Sequence, residues 1–146
     1  MTGLEDRVAL VTGAGSAAGI GFATARILAA QGARLAITST TERIFERLGE
    51  LPGGEKRHVA VIADLTQADA ADRLVAEARK GLGPIDILVN NAGIQHVAPV
   101  EEFPPEEWDA ILAINLSAAF HAIRAVLPEM KRRGFGRIAP AIARAS

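Results

Sequence analysis

Val8-Ala9-Leu10-Val11-Thr12-Gly13-Ala14-Gly15-Ser16-Ala17-Ala18-Gly19-Ile20-Gly21 is the stretch on which the reading of the fold turns. Its first four residues are apolar without interruption. That is the pattern of a strand covered on both faces, as in a parallel sheet. From Gly19 to Gln31 the chain reads as a helix, with Ile20, Ala23, Ile27 and Leu28 on one face and Gly32 as its stop. Glycines in the loop between would let backbone approach a pyrophosphate. The helix N-terminus would offer unpaired N–H groups and a partial positive charge. A strand before and a helix after separate a dinucleotide loop from an ordinary tight turn. Two registers fit. Gly13, Gly15 and Ala18 satisfy the G-x-G-x-x-G/A spacing, and Gly13, Gly19 and Gly21 form the other. No Gly-Lys-Ser/Thr follows, so this is not a P-loop.

Working outward, Leu35-Ala36-Ile37 reads as a second strand. A helix from about Thr41 to Leu51 follows, opened by Ser39 and Glu42 as a capping pair. Pro52-Gly53-Gly54 turns the chain into a third strand, Val59 to Ala63. Thr66 is expected to cap a helix running to about Lys80, and Gly81 to Pro84 breaks it. Ile85 to Val89 is a fourth strand. Pro104 or Pro105 opens a long helix with Trp108, Ile111, Leu112, Ala118, Ala119 and Val126, ending near Gly134. Alternating strands and helices predict an α/β fold: a doubly wound, Rossmann-like parallel sheet with right-handed crossovers. The expected domain is 1–138, with 139–146 as an irregular tail. Ile138 starts a fifth strand, but Pro140 would deny a central strand its backbone donor. The sheet is therefore expected to be truncated after the start of that strand.

Composition narrows the function classes. With 146 residues, 49% of them hydrophobic and 23% charged, the chain can build one core. Sixteen Lys and Arg against seventeen Asp and Glu give a net charge of -1, so no basic field exists to attract nucleic acid or an anionic membrane. No cysteine is present, which excludes disulfides and thiolate catalysis and fits a reducing compartment. The N-terminus lacks a basic segment followed by an apolar one, and the apolar runs look strand-sized. A cytoplasmic protein without a membrane span is expected. The three histidines lack metal-ligand spacing, so no metal is expected.

The second strand runs into Thr38-Ser39-Thr40-Thr41-Glu42-Arg43, with no carboxylate at its end. Dinucleotide sites that favour NAD often place an acid there for the ribose hydroxyls. Ser39, Thr40 and Arg43 instead suit a 2′-phosphate, so NADP is expected over NAD. Helix capping by Ser39 or Thr40 is the competing reading. The fourth strand ends in Asn90-Asn91-Ala92-Gly93, at a carboxyl edge where such sheets bind ligands. An ordinary Asn-Gly turn is the alternative.

From about Asp6 to Ile138 the chain resembles the short-chain dehydrogenase/reductase family. The residues carrying the likeness are Thr12-Gly13, Gly19-Ile20-Gly21, Asp64-Leu65, Asn90-Asn91-Ala92-Gly93, Trp108 with Asn115-Leu116, and Gly134 to Ile138. The resemblance implies that Gly13, Gly19 and Gly21 line the pyrophosphate, that Asp64 approaches the adenine, and that Asn91, Ala92 and Gly93 line the cofactor ribose. Thr12, Ile20 and Leu65 go with them as cofactor-binding positions. Asn115 matches the family's helix asparagine, implying a proton relay. A buried asparagine satisfied by backbone is the alternative. Gln95-His96 with Pro99-Val100 resembles 3-hydroxybutyrate dehydrogenases, and the Thr38-Ser39-Thr40 strand end resembles 3-oxoacyl reductases. His96 is either a substrate contact or a solvated loop histidine.

Two departures stand out. Five residues separate Gly13 from Gly19, where the family pattern has three. The family's catalytic Tyr-x-x-x-Lys and serine lie beyond the fifth strand, and this chain contains no tyrosine. Two functions follow. One is an oxidoreductase scaffold for hydride transfer between NADP(H) and a small carbonyl or alcohol. The other is a non-catalytic nucleotide-binding or interaction module. A homo-oligomer formed through the 105–133 helix is expected in either case.

Overall fold

The structure is a computed structural model and describes residues 3–140. Five strands form one parallel sheet: β1 (Val8–Val11), β2 (Arg34–Ser39), β3 (Val59–Ile62), β4 (Ile87–Asn90) and β5 (Arg137–Pro140). Their spatial order is β3-β2-β1-β4-β5. After β3 the chain crosses to the far side of β1, so the winding reverses between β1 and β4. A crevice opens at the carboxyl ends of strands at such a reversal.

Helices α1 (Ile20–Ala30), α2 (Arg43–Glu50), α3 (Ala70–Leu82), α4 (Pro105–Leu112) and α5 (Ala118–Arg133) complete the fold. Strand side chains alternate between faces, and the core divides accordingly. Val8, Leu10 and Leu88 pack with Leu74, Ala122 and Val126 of α3 and α5. Ala9, Val11, Leu35 and Ile37 pack with Phe22 and Ala25 of α1 and Ile44 and Leu48 of α2. The uninterrupted apolar character of β1 is thus used on both faces.

Several local expectations are corrected. The face of α1 built from Ile20, Ala23 and Ile27 points to solvent, and Ile20 and Ile27 are 52% and 60% exposed. Phe22, Ala25 and Ala29 take the sheet side, because Gly21 brings the start of the helix hard against the strand ends. Ser39 and Glu42 do not cap α2. The Ser39 hydroxyl instead accepts from the Thr41 N–H and donates to the Thr41 carbonyl in a local turn. Helix α3 starts at Ala70, not after Thr66, whose N–H and hydroxyl are both drawn to Asp64.

Strand β5 continues through Ala139 and Pro140, paired with Val89 and Asn90. Regular pairing therefore passes the expected start of the tail at 139, and the rest of that tail, 141–146, lies outside the described residues. Proline is tolerated because β5 is an edge strand here, with β4 as its neighbour.

Helices α4 and α5 join through a π turn, Ala113–Ser117, into one helix. Its 29 residues, Pro105–Arg133, contain an 18-residue window of mean hydropathy 1.7. By length and composition it is apolar enough to cross a bilayer, contrary to the expectation of strand-sized runs only. Scattered polar residues such as Asn115 and His121 keep its uninterrupted apolar runs short. A core helix has the same character, and Ala118, Ala122, Val126 and Met130 are buried against the sheet and α3.

Candidate functional site

The site begins where β1 and β4 end. Thr12 is buried, and its Oγ1 accepts the N–H groups of Asn91 and Ala92, each at 3.0 Å. The Asn91 Nδ2 donates to the Gly13 carbonyl at 2.9 Å. Gly13 has φ +66°, and a Cβ there would meet the Ala92 Cα at 2.8 Å. A Cβ at Gly21 would meet the Gly13 carbonyl oxygen at 2.5 Å and collide with Asn91 Nδ2. The two glycines let the strand ends and the start of α1 converge to backbone contact.

The loop then leans on β2. The Ala14 N–H donates to the Thr38 carbonyl at 2.9 Å, which lays Gly15 over Ser39 and Arg43. A cavity of about 320 Å³ opens beside it. Of the expected cofactor residues, Gly13, Ser39, Thr40, Arg43, Leu65, Asn91, Ala92 and Gly93 line this cavity. Thr12, Gly19, Ile20, Gly21 and Asp64 do not line it. Thr12 and Gly21 instead brace its floor from behind. Among the described residues Arg43 forms no ion pair with a carboxylate, so its charge is not neutralised locally.

Asp64 is exposed, and its carboxylate accepts the Thr66 hydroxyl at 2.6 Å and the Thr66 N–H at 3.0 Å. The hydroxyl bond, then the backbone bond, holds its pKa below the ordinary carboxylate value. Its neighbours Ala63 and Leu65, not Asp64 itself, face the cavity.

Asn115 sits in the π turn, a feature often found at functional sites. Its Oδ1 accepts the Ile94 N–H and its Nδ2 donates to the Ile94 carbonyl, both at 2.9 Å. The residue is exposed rather than buried, and its amide is satisfied by backbone. Asn115 also borders a second cavity of about 770 Å³, which runs along Asn90 to Gln95 toward Ile138 and Pro140. His96 lies on the exposed loop beside Phe103, with its Nδ1 4.0 Å from Glu107. It lines neither cavity.

Other lining residues are Gly15, Ser16, Thr38, Ala63, Ile94 and Ile114. Gly15 belongs to the G-x-G-x-x-G/A register and Thr38 to the hydroxyl run, so both carried a sequence signal. Ile94 and Ile114 are ordinary apolar residues, and only the pairing of Asn115 with Ile94 places them here. Among the described residues no cluster of His, Cys, Asp or Glu could hold a metal ion.

A glycine loop at a sheet reversal, facing a cavity lined by hydroxyls and by Arg43, defines a dinucleotide-type fold and site. Comparison narrows the class. The model of the short chain dehydrogenase family matches residues 7–144, and the chain belongs to that family. It is 45% identical over 136 residues to D-beta-hydroxybutyrate dehydrogenase of Cupriavidus necator, across 92% of this chain and 52% of that protein. To D-threitol dehydrogenase of Mycolicibacterium smegmatis it is 42% identical over 140 residues, again 92% of this chain and 52% of the relative. A metagenomic short-chain oxidoreductase solved in complex with NADP superposes with a TM-score of 0.88 at 34% identity, covering 97% of this chain and 64% of that one. The chain thus spans about half the length of the curated relatives it matches.

Proposed function

We propose that this chain binds NADP(H) and forms the cofactor-holding part of an oxidoreductase acting on a small carbonyl or alcohol. The observation that carries the reading is Arg43: an arginine without a carboxylate partner among the described residues, beside Ser39 and Thr40, at a strand end that lacks an acid. A ribose 2′-phosphate is the ligand whose charge and acceptor oxygens such a set matches. The NADP bound to the metagenomic relative supports it. The fit is also steric, because Gly13 and Gly15 leave the cavity wall without side chains where a dinucleotide would lie.

Gly13, Asn91, Ala92 and Gly93 would hold the cofactor's phosphate and ribose side, and Ser39, Thr40 and Arg43 its 2′-phosphate. A bound cofactor would donate hydride as NADPH to a carbonyl, or accept it as NADP+ from an alcohol. The second cavity, with Asn115 on its border, is the space for the substrate. Asn115 holds the Ile94 backbone through both ends of its amide and thereby shapes the wall between the two cavities. Its place in a proton relay is part of this proposal. Calorimetric titration tests the cofactor assignment. NADPH should bind more tightly than NADH, and Arg43→Ala should lose about 1.5–3 kcal/mol of NADPH affinity. Equal affinities for the two cofactors would defeat it.

The second reading, a nucleotide-binding module without catalysis, is favoured by one observation. None of the 146 residues is a tyrosine, so the family's general acid has no counterpart in them. Self-association through the 105–133 helix is proposed under either reading, because Trp108, Leu116 and Phe120 are 55%, 65% and 59% exposed.

A further inference from the structure

We propose that Gly15 is a specificity-determining residue: its bare backbone is the seat that holds the Arg43 guanidinium at the cavity, and so sets the preference for a phosphorylated ribose. The proposal rests on the NADP reading above and goes beyond it in naming what positions Arg43. Gly15 is not among the glycines with left-handed backbone, so its conformation does not call for glycine. Space does. A Cβ built at Gly15 would lie 2.7 Å from Arg43 Nε, 2.7 Å from Ser39 Cβ and 2.9 Å from Ser39 Oγ. Gly15 is also buried, whereas Ser16, Ala17 and Ala18 beyond it are exposed.

The seat is built by the backbone. The bond from the Ala14 N–H to the Thr38 carbonyl makes the loop follow the end of β2 before it turns into α1. That path carries Gly15 over the β2 terminus and the first residue of α2, which is Arg43. Arg43 is otherwise an exposed side chain without a carboxylate partner among the described residues. A long cation of this kind would spread over many rotamers in water, at a cost in entropy whenever it is recruited to a ligand. Contact with Gly15 and Ser39 keeps its Nε against the wall of the cavity that Gly15, Ser39 and Thr40 also line. A side chain at position 15 would meet both Arg43 and Ser39 at less than 3.0 Å, and the long Arg43 side chain is the one that can yield. A 2′-phosphate would lose its cation, whereas a ribose with free hydroxyls would lose nothing it needs.

The test is a fluorescence titration of the 146-residue chain with NADPH and with NADH, on the parent and on Gly15→Ala, Arg43→Ala and the double variant. Gly15→Ala should weaken NADPH by about tenfold or more while NADH stays within about twofold, the scale of one charge-assisted hydrogen bond. In the Arg43→Ala background, Gly15→Ala should add no further loss of NADPH. Unchanged NADPH affinity in Gly15→Ala overturns the proposal, and so does an equal loss of both cofactors, which marks a general loop defect. Should Gly15→Ala fail to fold, Arg43→Lys decides. It keeps the charge but lacks the Nε that rests on Gly15, so undiminished NADPH affinity overturns the seat. A parent chain that binds neither dinucleotide overturns the functional reading together with the seat. A parent that prefers NADPH through Arg43, with Gly15→Ala silent, overturns the seat alone.

Discussion

His58 is a buried histidine with no part in the candidate site, and it sets a pH dependence for the fold. Its Nδ1 accepts the Leu35 N–H at 2.9 Å at the start of β2, and its Nε2 faces the Pro52 carbonyl at 2.7 Å. These partners require the neutral ring with its proton on Nε2. Protonating Nδ1 would set two donors against each other. Burial lowers the His58 pKa below the ordinary 6.5, the Pro52 carbonyl opposes that shift, and the Arg57 cation adds to it. The unfolded chain then binds the proton more readily than the folded one. Stability from His58 is fully present above about pH 6.5 and declines as pH falls toward the folded pKa. Denaturant midpoints at pH 7.5 and pH 5 should differ in that direction, and the His component of the difference should vanish in His58→Asn. A midpoint that does not fall on acidification, or that falls equally in the variant, would show that His58 is not the group responsible.

At the scale of elements, Asp86 ties the amino-terminal edge of the sheet together. Its carboxylate is buried and accepts the Val8 N–H at 2.9 Å. It pairs with Arg133 at the end of α5 at 2.9 Å and with Arg7 before β1 at 3.6 Å. The Asp86 carbonyl accepts the Arg137 N–H at the start of β5. Arg7 in turn lies 3.7 Å over the Phe135 ring. Helix α5 stops at Gly134, whose φ of +70° gives a left-handed terminus, so the chain turns at once into β5. Asp86→Ala leaves the Val8 N–H without its partner, but the two arginines are more than a third exposed and can rehydrate. That moderates the cost of a broken buried pair to about 2–3 kcal/mol. Urea unfolding should record this loss, and Asp86→Asn should lose less because its amide oxygen can still accept from Val8. A loss in Asp86→Ala no larger than in an exposed pair such as Asp69–Arg73 would refute the role.

For the whole molecule two outcomes follow. The exposed stripe of Trp108, Leu112, Leu116 and Phe120 lies on the outer side of the 105–133 helix. Covering about 400 Å² of such surface is worth roughly 10 kcal/mol gross, of the same order as the cost of association. Light scattering at micromolar concentration should find dimers or larger species, and Leu116→Glu and Phe120→Glu should shift them toward monomer. Ile123 is the poorer probe, because it is half-buried against the core. A monomer in the parent chain would mean that the stripe recruits no second copy. The second outcome concerns activity. The family's general acid has no counterpart among these residues, and acid–base catalysis is worth about 10²- to 10⁴-fold. Acetoacetate or a short 3-oxoacyl thioester with NADPH should therefore be turned over far below that of an enzyme with a tyrosine acid. Vigorous turnover abolished by Asn115→Ala would place proton transfer within these 146 residues.

What could be read from the sequence alone is what neighbours along the chain decide. Uninterrupted apolar runs such as Val8 to Val11, the breaks at Pro52-Gly53-Gly54 and Gly134, and the absence of an acid after β2 are local patterns. They sufficed for a doubly wound parallel sheet and for Ser39, Thr40 and Arg43 at one end of a cavity, while the resemblance carried by Gly13, Gly19 to Gly21 and Asn90 to Gly93 supplied the family and the placing of Gly13 and Asn91 to Gly93 on that cavity's wall. The contacts that only folding makes could not be read this way. Residues Ile20 and Ile27 look like a core face until the close approach permitted by Gly21 turns Phe22 and Ala25 inward. Asp64 draws Thr66 away from the start of α3, and Asn115 takes the Ile94 backbone as its partner across the crevice. Gly15 meets Arg43 only because the sheet sets β1 beside β2 and lays the loop along it. Periodicity reports which residues are apolar and how they are spaced. The distance between two backbones, and hence where a Cβ is forbidden, exists only after the strands have paired.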